Sequence, residues 1–160
     1  MTQIESGASS SQTETPEPQK RAALEQNARN GANYFFWIAF FAVFNKVMDL
    51  LSSTRRFVFG LGAPLFIERV LPEGNPAFMW GIIVILAGVF VVIGVFARRG
   101  NLLVYVLGIL LYLGDMLLSI RAGDAVGALV HVIFAVLLIM GFIATLKLKK
   151  LPSEKVKPKS

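Results

Sequence analysis

Two ionisable residues stand well inside long apolar runs: Asp115 in residues 102–120, and His131 in residues 125–146. Arg121-Ala122-Gly123-Asp124 joins the runs. With Gly123 as the midpoint, Asp115 lies eight residues before it and His131 eight after it. Antiparallel helices rise equally per residue, so the two side chains fall at one depth. A carboxylate deep in hydrocarbon costs about 3 kcal/mol or more without a partner, and an imidazole opposite it is such a partner. Four chemistries are open to this pair. It can exchange a proton and so form part of a proton or ion pathway. It can act as base and orienter for a serine, with Ser52, Ser53 and Ser119 near the same boundary. With Asp49 it could supply three metal ligands. Or it can be a structural clasp that fixes helix register.

Composition weighs these against one another. The chain has 160 residues, of which 55% are hydrophobic and 16% charged, against about 25% charged in a typical soluble domain. No cysteine is present, which excludes thiolate chemistry and disulfides. One histidine with carboxylates specifies zinc poorly, and no metal or other cofactor is implied. No GxSxG elbow is found, which weakens the hydrolase reading. No inverted repeat is seen, and the other half of the bundle is apolar, which weakens the transport reading. The clasp is left as the preferred reading: a non-catalytic membrane scaffold, subunit, or lipid- or partner-binding protein. A proton- or ion-coupled transport component using Asp115 and His131 is the alternative, and an intramembrane hydrolase a second one.

The elements that must hold the pair are four apolar spans, at about residues 33–51, 77–97, 102–120 and 125–146. Each is long enough to cross a bilayer as a helix. The expected architecture is therefore an all-α integral membrane protein, a four-transmembrane-helix bundle over residues 31–147. Residues 1–30 form a polar N-terminal segment, disordered to about residue 18, with 20–30 suited to a short surface helix that Gly31 punctuates. No signal peptide is recognised. Residues 148–160 form a basic tail.

The first span opens on Tyr34, Phe35, Phe36 and Trp37, an aromatic anchor for the membrane boundary. Its second half carries Asn45, Lys46 and Asp49. Either Lys46 reaches the boundary and pairs with Asp49, the preferred reading, or Asn45 and Asp49 turn inward and join Asp115 and His131. Residues 57–71 are apolar but too short to cross, and Gly60, Gly62 and Pro64 interrupt them. An interfacial helix after Pro64 is preferred over a re-entrant loop. Residues 72–76 read as a turn. The second span has no ionisable side chain, and Gly81, Ala87, Gly88 and Gly94 are where another helix can approach. In the third, Tyr112 and Asp115 are three apart and share a face. Asp124 is placed to cap the fourth.

The net charge of +6 does not indicate nucleic acid, because six lysines directly follow an apolar run. Basic residues at the membrane surface, Arg98, Arg99, Lys147, Lys149 and Lys150 among them, fit topology and anionic lipid better. Eleven basic residues fall on the side of the two termini and four, Arg55, Arg56, Arg69 and Arg121, on the other. Both termini are then cytoplasmic in a cell inner or plasma membrane. Asn45, Asp49, Tyr112, Asp115 and His131 would form one polar cluster beneath the outer leaflet. The expected partners are membrane lipids and either a second copy of the chain or another membrane protein.

The run Leu111-Tyr112-Leu113-Gly114-Asp115-Met116-Leu117-Leu118, then Gly123-Asp124 and His131, resembles the last hairpin of small uncharacterised bacterial four-span integral membrane proteins. Residues 34–39 with Asn45, and residues 57–62, are similar to that group's first span and outer segment. The likeness covers about residues 33–146. Lys46, Asp49 and Ala63-Pro64 depart from the pattern. The resemblance implies the four-span topology and no particular activity.

Overall fold

The computed structural model describes residues 17–51, 61–70 and 75–151. Residues 72–74 of the expected turn at 72–76, the N-terminal residues to 16, most of the basic tail, and Ser52, Ser53, Arg55 and Arg56 lie outside the described residues; Asn75 and Pro76 begin α3. Among the described residues every regular element is a helix: α1 Glu17–Leu51, α2 Gly62–Val70, α3 Pro76–Arg98, α4 Leu102–Arg121 and α5 Ala125–Lys150. Four of them, all but α2, are long and apolar enough to cross a membrane.

Local chemistry starts three of the long helices. Asn75 accepts the N–H of Ala77, with Pro76 in the first turn. Asn101 accepts that of Val104, and Asp124 caps α5 as expected by accepting that of Gly127 at 2.9 Å. These bonds satisfy donors that a helix start leaves unpaired. Gly100 and Gly123 take positive φ, 75° and 73°, and close the two tight turns at no steric cost.

The four long helices form a ring, α1 against α3 and α5, and α4 against α3 and α5. Phe35, Ile83, Tyr105 and Leu138 are fully buried at its centre, with the Phe35 and Tyr105 rings edge-on at 5.3 Å. Apolar side chains such as Val84, Ile85, Leu110 and Met140 point outward, as a bundle surrounded by lipid requires.

Gly31 does not end a helix. α1 runs through it without a break, and residues 17–30, expected as a polar segment with only a short surface helix, form its first turns. Gly31 is where α1 crosses α5: a Cβ there would overlap the Cα of Gly141, and the reverse holds for Gly141. Removing both side chains lets the two backbones touch. Among the small residues of α3, Gly94 abuts Phe35 and Phe36 and Ala87 is buried, whereas Gly81 and Gly88 meet nothing.

The short helix α2 lies along α4 and touches α3. Gly62 meets Asp115 and Arg69 meets Ala122, so both pairs are separated by 53 residues. A constant offset means that α2 and α4 run parallel with equal rise. α2 therefore begins about 10 Å inside the C-terminal end of α4, seven residues at 1.5 Å each. α2 is seated against the bundle along α4, with Pro64 in its first turn, where no N–H is needed.

Candidate functional site

Asp115 and His131 meet as their matched spacing requires. His131 Nε2 lies 2.8 Å from Asp115 Oδ2, and the two residues keep 2% and 7% exposure. The other ring nitrogen, Nδ1, is 2.7 Å from the carbonyl of Gly127, one turn back on α5. A carbonyl only accepts, so Nδ1 carries a proton. The Nε2–Oδ2 contact then holds one further proton, on the imidazole or on the carboxyl. In either placement the pair has no net charge, which makes its burial tolerable. The Tyr112 ring stacks on the imidazole, 4.9 Å between centroids and 17° from parallel. Tyr112 thus belongs to the cluster through its ring face.

Asp115 has two partners that no side chain announces. Its Oδ2 accepts the N–H of Gly62 and its Oδ1 that of Ala63, both at 2.8 Å. These are donors of the first turn of α2, so a residue of α4 caps another helix and places its charge at the positive end of that helix's dipole. Gly62 is what allows the approach: a Cβ there would press on the Asp115 carbonyl and the Ser119 amide, and would sit 2.8 Å from Ser119 Cβ. The far end of α2 is held as well, by Arg69 donating to the Ala122 carbonyl.

Asn45 and Asp49 do not join the pair. Lys46 does pair with Asp49, at 3.9 Å, but its closer partner is Glu68 of α2 at 2.6 Å. Asn45 and Asp49 instead line a cavity of about 480 Å³ between α1, α2 and the α4–α5 turn. From α1 come Ala42, Asn45, Lys46 and Asp49; from α2 Pro64, Leu65, Glu68 and Arg69, with Leu61 just before it. Ile83 of α3 and residues 122–124 complete the wall. The expected single cluster is therefore two neighbouring features, a sealed Asp–His–Tyr clasp and a polar cavity.

Ser119 is buried to 1% and its hydroxyl has no hydrogen-bond partner among the described residues. Both nitrogens of His131 are engaged elsewhere, so the imidazole is not positioned to activate Ser119. Among the described residues no three His, Cys, Asp or Glu side chains come close enough to hold a metal ion. At the opposite end of the bundle, Arg98 lies over the Phe36 ring and Arg99 over Phe96. Lys147, Lys149 and Lys150 occupy the last turn of α5.

Sequence reasoning missed Gly62, Ala63, Glu68 and Arg69. The available signal was arithmetic: an ionised carboxylate has about four acceptor sites, and one histidine fills one. Scanned against family models, curated proteins and solved structures, the chain gives no match.

Proposed function

We propose that the chain is a non-catalytic multi-pass membrane protein that works by binding lipid or a membrane partner, and that Asp115–His131 is its structural clasp. The observation that carries this reading is that every nitrogen and oxygen atom of the two side chains is engaged. Both ring nitrogens and both carboxylate oxygens are spent on contacts that seat α2 and fix the register of α4 against α5. A general base needs an open nitrogen in reach of its substrate, and a proton relay needs an onward partner. The excess of basic residues on the side of the termini supports an orientation with the clasp in the outer half of the membrane.

The test pairs stability with flux. Asp115→Asn, His131→Ala and the double variant are unfolded in mixed micelles, and the same proteins in proteoliposomes are assayed for proton flux. The clasp reading expects a coupling energy of about 0.6 kcal/mol or more between the two sites, and no flux in the native protein. A pH-driven flux that Asp115→Asn abolishes while the fold survives would move the assignment to transport.

A further inference from the structure

At the end of the bundle away from the clasp, five exposed cations gather on two elements. Arg98 and Arg99 stand at the α3–α4 turn, and Lys147, Lys149 and Lys150 in the last turn of α5. The two groups converge. The Lys149 side chain crosses to the turn, its Cε 3.8 Å from where a Cβ on Gly100 would sit. Like charges repel, so this convergence is unfavourable until an anion joins it. Among the described residues the chain supplies none. The carboxylates described on this side are Glu17 and Glu25, and these are held within α1 by Lys20 at 4.0 Å and Arg21 at 3.3 Å. α3 and α5 end here and α4 begins, so the helix dipoles together bring about half a negative charge, far short of five.

Both guanidiniums are set in place. Arg98 lies 5.8 Å over the Phe36 ring and Arg99 5.5 Å over that of Phe96. Stacking occupies a face of the guanidinium plane and leaves its N–H edge, the fork that grips a phosphate through two bonds. The surface beside them is apolar. Phe96 is 40% exposed, and Leu103, in the first turn of α4, 76%. A soluble anion would satisfy the cations and leave this border uncovered, whereas a phosphate joined to hydrocarbon matches both. We propose that the α3–α4 turn and the end of α5 bind the phosphate headgroup of an anionic phospholipid, with its acyl chains along Phe96 and Leu103. This names the lipid in the lipid-binding reading above and rests on that reading. The site is about 20 Å from Asp115 along α4, at 1.5 Å per residue. Loss of lipid selectivity would therefore overturn this site and leave the clasp standing, while a proton flux would overturn the earlier reading.

The full-length protein in detergent is titrated with phosphatidylglycerol, phosphatidylethanolamine and phosphatidylcholine of equal chain length, and bound lipid is counted by native mass spectrometry. Phosphatidylglycerol is expected to bind at least ten-fold more tightly than the other two. A basic residue at an anionic lipid surface contributes about five-fold. Lys149→Gln should therefore weaken binding about five-fold, and Arg98→Gln with Arg99→Gln at least ten-fold. Lys149→Gln with Lys150→Gln, both exposed, should also lose at least ten-fold and serves where the arginine pair fails to fold. Lys20→Gln with Arg21→Gln removes two charges from the same side and should leave binding unchanged. Equal binding of the three lipids, or an equal loss from the Lys20 and Arg21 pair, overturns the proposal, since the charge would then act as a diffuse field. Inorganic phosphate that displaces phosphatidylglycerol at equal concentration overturns the lipid assignment in favour of a free anion.

Discussion

Replacing Gly62 by Ala adds one methyl at the point where α2 meets α4. The new carbon would press on the Asp115 carbonyl and the Ser119 amide and lie 2.8 Å from Ser119 Cβ. Two of these three atoms are helix backbone, which cannot swing aside, so α2 must move by on the order of 1 Å. Overpacking of this kind costs about 1–3 kcal/mol. The movement also lengthens the 2.8 Å bonds from Gly62 and Ala63 to Asp115, and such bonds in membrane proteins contribute about 0.6 kcal/mol each. The sum is a loss of about 2–4 kcal/mol, at least a ten-fold fall in the folded-to-unfolded ratio. Gly114 is the internal control, adjacent to Asp115 on α4 but with nothing within 4 Å of its would-be Cβ. Gly114→Ala should be neutral or stabilising by up to about 1 kcal/mol through helix propensity. Equilibrium unfolding in mixed micelles reads both. Wild-type stability in Gly62→Ala, or equal damage from Gly114→Ala, would refute the reasoning.

Further outcomes follow from other contacts. Tyr105 is fully buried and its hydroxyl has no partner among the described residues, so Tyr105→Phe should be neutral or raise stability by about 1 kcal/mol, against the usual direction for a core change. Gly31→Ala and Gly141→Ala should each lose about 1–3 kcal/mol by overpacking, and the double variant less than their sum, because both open the same crossing. Lys46→Met alone should destabilise by leaving the Glu68 carboxylate without its 2.6 Å partner, and Lys46→Met with Glu68→Leu should recover most of that loss. Asp124→Ala should cost about 1 kcal/mol as a lost helix cap, visible as fraying of the first turn of α5 in hydrogen exchange.

How much of this was legible in the chain depends on whether the partner carries a side-chain signature. Asp115 and His131 are both rare in apolar helices and sit symmetrically about Gly123, so elementary helix geometry brings them together. Asp124 as a cap and Tyr112 on the Asp115 face follow from local spacing in the same way. The seat of α2 was hidden because its donors are the backbone N–H groups of Gly62 and Ala63, which every residue but proline possesses. Lys46 was matched to Asp49, its neighbour in sequence, since nothing local indicates Glu68, 22 residues away. Gly31 was read by its helix propensity, where the deciding quantity is the close approach of Gly141 from a helix 110 positions later. In each case the missing information is tertiary packing, which local pattern does not encode.

The central claim, that the buried aspartate–histidine pair holds α2 in place, is tested most directly by amide hydrogen exchange at Gly62 and Ala63. Both amides should exchange slowly in the native protein and rapidly in Asp115→Leu, with His131→Ala intermediate, while Val104 at the start of α4 is unchanged. Rapid exchange at both positions in the native protein, or protection that persists in Asp115→Leu, would contradict it.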